Sequence, residues 1–144
     1  LLEYGAVVDQ MIDNDGYSAL IAAAENGNAE MVKLLLEYGA NIELAEISGF
    51  TSLMKAVAAG QVNTILYLLT HNANINCVDK DGNNVLHIAI QNHQSHVIPV
   101  LLQYKASIFH RNLAGQTPLS LAVKTNQENI FNGLLSNWLQ QNYQ

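Results

Sequence analysis

The sequence predicts an all-α solenoid of stacked helix–turn–helix units with projecting, β-hairpin-like turns. Three observations predict it. Gly16, Gly49, Gly82 and Gly115 fall at steps of 33 residues. Four residues after each comes a leucine (Leu20, Leu53, Leu86, Leu119), and three later an alanine (Ala23, Ala56, Ala89, Ala122). The leucine pairs Leu35–Leu36, Leu68–Leu69, Leu101–Leu102 and Leu134–Leu135 keep the same step, as do Ala40, Ala73, Ala106 and Ile42, Ile75, Ile108. One such unit has too small an apolar face to fold alone, and stacking neighbours makes the core continuous.

In the first helix of a unit, Leu20, Ala23 and Ala24 stand at helical spacing on one face. The small alanines let a neighbouring helix approach closely, which places this helix inside the stack. Gly27 ends it, because the residue after a helix commonly takes a left-handed conformation. Gly60, His93 and Asn126 fill the same column. The second helix carries Met31, Val32, Leu35 and Leu36 as its apolar set and closes at Gly39, with Asn72 and Lys105 in the equivalent places. Pro99 is tolerated only in a first turn, so the third copy of this helix is expected to start late, near Ser95 or His96. Stretches such as NINCVDKDGN, rich in Asn, Asp and Gly, read as the projecting turns.

The whole chain, 1–144, reads as one domain. Residues 1–12 are expected to be the remnant of a preceding unit, followed by units at 13–45, 46–78, 79–111 and 112–144. LLEYGA at residues 1–6 repeats at 35–40, so the chain is expected to begin inside a unit, leaving an N-terminal face through which copies could self-associate. The first turn has one extra residue, counting from Gly5 to Gly16 against Gly39 to Gly49. At the other end, Ser136, Asn137, Gln140 and Gln141 interleave with Trp138 and Leu139, the pattern of a terminal unit facing water.

The net charge of −6 is unevenly distributed. Residues 1–46 hold nine acids against Lys33 alone, a balance of −8, while residues 47–144 hold three acids and five bases, a balance of +2. No basic stripe marks a nucleic-acid partner. No apolar run is long enough to span a membrane. The single cysteine, Cys77, has no internal disulfide partner, and an intracellular, reducing location is expected. Asn and Gln together number 27, but they are scattered through periodic apolar segments rather than gathered in tracts, which excludes low complexity.

The segments DGYSALIAAAENG, SGFTSLMKAVAAG, DGNNVLHIAIQNH and AGQTPLSLAVKTN resemble the ankyrin repeat, whose signature is a glycine, then T-P-L-H-x-A, a leucine pair and G-A. Thr117–Pro118–Leu119 and Leu86–His87 keep parts of the motif, and EYGANI and HNANIN match its turn. A 34-residue helical-hairpin repeat fits less well, because its large aromatic pattern is absent and the step is 33.

Catalytic and metal chemistry find little support. His87 occupies the motif histidine, where the resemblance implies a structural hydrogen bond. His93 and His96 straddle a helix junction, His71 and His110 lie in or beside turns, and a zinc site wants four converging ligands. Nothing places Ser95 or Cys77 in a nucleophilic triad. Asp13/Asp15 and Asp79/Asp81 recur at equivalent positions and read as turn formers. No cofactor is expected.

The resemblance implies a non-catalytic protein-binding module whose partner lies along the concave side. Carried over residue by residue, that side comprises Asn14, Asp15, Tyr17, Glu25 and Asn26 of the first unit and Ile47, Ser48, Phe50, Ala58 and Ala59 of the second. The third contributes Lys80, Asp81, Asn83, Gln91 and Asn92, and the fourth Leu113, Ala114, Gln116, Lys124 and Thr125. Tyr17 and Phe50 share a column and are candidate anchors, and Asp15 and Glu25 suit a basic segment of the partner. Alternatives are a recognition arm of a larger enzyme and an effector that a microbe delivers into host cells.

Overall fold

The computed structural model describes residues 7–142. The LLEYGA stretch and Gly5, on which the expectation of a partial first unit rests, lie outside the described residues. Among the described residues eight α-helices pair up from Ala19 on: α1 (Ala19–Glu25) and α2 (Ala29–Glu37), α3 (Ser52–Ala59) and α4 (Val62–Thr70), α5 (Val85–Gln91) and α6 (Ile98–Gln103), α7 (Pro118–Lys124) and α8 (Glu128–Asn142). The odd-numbered helices stack in an inner row, α1 on α3, α3 on α5 and α5 on α7. In the outer row α2 meets α4 and α6 meets α8.

Local chemistry starts and stops these helices. Ser18, Thr51, Asn84 and Thr117, again 33 apart, cap the inner helices by accepting backbone N–H bonds one turn on, each such cap contributing about 1 kcal/mol. A 3₁₀ turn at Ser95–Val97 precedes α6, with Pro99 in the first turn of the α-helix. The helical path thus begins at Ser95, while the α-helix proper waits for the proline. His93, Asn126, Asn72 and Lys105 adopt positive φ between 56° and 70° where the other units place glycine. In the fourth unit α8 runs for 15 residues through the position of that second turn.

The core is one continuous file. Leu20, Leu53 and Leu86 are at most 1% exposed, and Ile65, Leu68, Leu101 and Leu134 are fully buried outer-helix residues. Burying a side chain of this size contributes roughly 1.5–3 kcal/mol. Helix α2 departs from its expected face: Val32 and Leu35 are buried, but Met31 is exposed. It packs mainly on α1 and α4, and those two neighbours leave the Met31 side open.

A column unnoticed in the sequence ties the helix ends together. Gln61 Nε2 donates to the Glu25 carbonyl, Gln94 Nε2 to that of Ala58 and Gln127 Nε2 to that of Ile90. Each glutamine reaches back one unit and caps the end of the preceding inner helix. Asn28, in the same column of the first unit, instead accepts from Met31 N–H and caps its own helix.

Candidate functional site

The turn tips are built by one repeated device. Asp13, Glu46, Asp79 and Asn112 each use one side-chain oxygen to accept the N–H groups two and four residues ahead. This folds the tip back, and Glu46 N–H, Asp79 N–H and Asn112 N–H close it on the carbonyls of Phe50, Asn83 and Gln116. Asp13 and Asp79 are therefore turn formers. Asp15 and Asp81 stand exposed at the tips.

Neighbouring tips join through backbone alone at a second repeated point. Ile47 N–H donates to Asp15 O at 2.7 Å, Lys80 N–H to Ser48 O at 3.0 Å and Leu113 N–H to Asp81 O at 2.9 Å. Because backbone makes these bonds, they leave the tip side chains free to vary. Asn14, Asp15, Ile47, Ser48, Lys80, Asp81, Leu113 and Ala114 are all exposed there, with Leu113 at 80%.

The expected site residues at the inner-helix ends divide. Glu25, Asn26, Gln91 and Lys124 are exposed, and Ala58 and Ala59 are half-buried. Asn92 Nδ2 donates to Ile88 O, and Thr125 Oγ1 donates to Leu121 O, so these two side chains close their own helices. At the foot of the turns Tyr17, Phe50 and Gln116 are half-buried. Asn83 differs from the exposed contact expected of it. It is 6% exposed and accepts from Asn112 Nδ2 at 2.9 Å, its own amide donating to Asp79, which makes it a link between the third and fourth turns.

Ile47, Ser48, Phe50, Lys80, Asp81, Asn83 and Gln91, together with Asp79, line one open groove of about 610 Å³ between the second and third tips. Beside it, Tyr17 OH donates to Glu25 Oε2 at 2.9 Å. Lys55 places its Nζ 5.0 Å from the Tyr17 ring centroid and 4.8 Å from that of Phe50. The sequence did hold a signal for Lys55: its column reads Ala22, Lys55, Ile88, Leu121, so it is the one charge in an otherwise apolar series.

His87 is fully buried at the junction of the third and fourth units. Asn84 N–H donates to Nδ1, which assigns the proton to Nε2, and this donates to Gln116 O at 2.7 Å. Burial lowers its pKa below the ordinary histidine value, and His110, edge-on at 6.0 Å, adds to the effect. Cys77 is half-buried beside Thr51, and desolvation pushes its thiol up to about 11. Among the described residues no three His, Cys, Asp or Glu side chains converge as a metal site would require, and no helix is long and apolar enough to cross a membrane.

Stacked helical hairpins with backbone-stitched tips and an open groove define a helical repeat scaffold. The family model for ankyrin repeats (three copies) matches residues 1–79 and 53–144, and the chain belongs to the ankyrin repeat family. Members of this family are generally protein–protein interaction modules. A comparison with curated proteins returned no match.

Proposed function

We propose that the chain is a non-catalytic module that binds a protein segment along its concave face, through the tips of its turns and the ends of its inner helices. Its units run 13–45, 46–78, 79–111 and 112–144, it acts as a monomer, and its lone cysteine suits a reducing compartment. One observation carries the reading: the backbone bonds between tips hold the scaffold and leave a continuous line of exposed side chains with no structural duty. A preformed surface of this kind loses little ordering entropy on binding. Asp15 and Glu25 give the first unit a negative edge that suits a basic stretch of the partner. Tyr17 and Phe50 supply the large, stiff contact area typical of anchors.

Affinity capture with the native chain and a Tyr17→Ala/Phe50→Ala variant tests this, circular dichroism confirming that both are folded. A protein retained by the native chain and lost by the folded variant supports the concave face. Retention that is the same for both moves the binding surface elsewhere.

A further inference from the structure

Lys55 is the concave-face residue whose setting the groove alone does not explain. Its ammonium sits between two aromatic rings contributed by equivalent turns of adjacent units, 5.0 Å from the Tyr17 centroid and 4.8 Å from that of Phe50. The side chain is half-buried. Three nearby carboxylates are engaged elsewhere: Asp13 by the N–H groups of Asp15 and Tyr17, Glu46 by those of Ser48 and Phe50, and Glu25 by the Tyr17 hydroxyl. No ion pair joins Lys55 to any of them among the described residues.

Each ring face attracts a cation at this range through its quadrupole. The rings thereby hold a lysine whose rotamer freedom is largely surrendered before a partner arrives. The Tyr17 hydroxyl, donating to Glu25, makes its ring richer in electrons and the hold firmer. Ring faces, however, leave the three N–H donors of an ammonium open to an oxygen acceptor. A carboxylate makes the strongest such bond, whereas a cation from the partner meets repulsion.

We propose that Lys55 is the specificity-determining residue of the concave face and that it receives an aspartate or glutamate side chain from an extended segment of the partner. The proposal rests on the groove reading above. It makes the recognised segment bipolar, with its acid over Lys55 and its basic residues one unit away over Asp15 and Glu25.

Three pools of short peptides, randomised except for a central Glu, Gln or Lys, are passed over the immobilised chain. The variants tested are Lys55→Met, Lys55→Arg and Tyr17→Ala/Phe50→Ala. Methionine keeps the apolar stem between the rings, and arginine keeps the charge and stacks on them. The native chain is expected to retain the Glu pool about tenfold better than the Lys pool, as a single charge-assisted bond of about 1.4 kcal/mol provides. Lys55→Met should abolish that preference and Lys55→Arg should keep it. A Glu preference that survives in Lys55→Met, a Lys preference in the native chain, or no retention of any pool overturns the proposal. In the first two cases the groove reading stands if the double aromatic variant loses retention. Retention unchanged in that variant overturns both.

Discussion

The junction between the first and second turns and the junction between the third and fourth use the same backbone bond and little else in common. At the first, Ile47 N–H meets Asp15 O, and the side chains add Lys55 between Tyr17 and Phe50 and the Asp9 carboxylate, which accepts Asn41 N–H. At the second, Leu113 N–H meets Asp81 O, and four side-chain bonds reinforce it: His87 to Gln116 O, His110 to Gly82 O, Asn112 to Asn83 and Asn84 to Ser107 O. Side chains that knit one unit to the next cannot also meet a partner. The acidic end of the solenoid keeps the side chains of its tips, Asn14 and Asp15, available, whereas the other end uses more of its turn side chains as structure.

The largest effect should come from the knitted junction. His87→Ala removes a fully buried ring and leaves the Gln116 carbonyl and the Asn84 N–H without it. A cavity plus unmet polar groups should cost about 3 kcal/mol, read as a lower urea midpoint. The same histidine supplies a pH signature. Its folded pKa lies below the ordinary value because burial disfavours the charged ring. Between the two values the unfolded chain binds a proton that the fold excludes, so stability falls as pH drops below about 6.5 and recovers above it. His87→Gln should lose this part of the pH dependence in thermal melts at neutral and mildly acidic pH. A variant with the native slope would show that another group controls it.

Next in size is a test of the backbone stitch itself. Gly49 has φ 85°, and a Cβ there would lie 2.9 Å from Lys80 N, the atom that bonds the two tips. Gly115 has φ 77° but nothing within 4 Å. Alanine at either position costs about 1–2 kcal/mol for the left-handed backbone. Only Gly49→Ala should add a packing penalty of at least about 1 kcal/mol. Equal losses in the two variants would mean that tip-to-tip contact contributes nothing measurable.

How far the sequence reached follows from the same distinction. Repeat step, inner-helix faces and turn glycines were legible because they depend on local spacing, and Pro99 in a first turn follows from one ring's geometry, although the Ser95–Val97 start is 3₁₀ and the α-helix begins at Ile98. Met31 was misplaced because spacing marks a helix's apolar stripe without saying which neighbour covers it. Asn83 looked like Tyr17, Phe50 and Gln116 in its column because its buried role depends on Asn112, 29 residues away. Lys55 was missed for a related reason: a search for convergent acids, bases and metal ligands passes over a cation held by ring faces. The glutamine column was present as Gln61, Gln94 and Gln127, yet nothing local says that these side chains run backwards across a unit boundary.

That column gives the third prediction. Gln94→Ala removes the half-buried bond to the Ala58 carbonyl and should cost about 1 kcal/mol. Asn28→Ala should cost a similar amount by a different route, since Asn28 caps α2 and reaches no other unit. Combining each with Gly49→Ala separates the two. Gln94 and Gly49 act on the same boundary, the one between the second and third units, so their effects should couple, whereas Asn28 and Gly49 should add.

The smallest effect on stability should fall at the junction assigned to binding. Tyr17→Phe deletes only the hydroxyl that donates to exposed Glu25, and surface changes of this kind stay within about 0.5 kcal/mol. The ring remains over Lys55, so the ammonium stays bracketed, but Glu25 loses its donor and is released to pair with whatever cation approaches. If the first junction is a recognition surface, Tyr17→Phe should leave the melt unchanged while altering the salt dependence of peptide retention, because a newly free carboxylate is screened by salt. If Tyr17→Phe instead lowers the melting temperature as a buried change does, the hydroxyl is structural and the contrast between the two junctions collapses. An unchanged melt means that tip side chains that do no knitting at the acidic end are idle in the isolated scaffold, which is the condition for their being free to bind.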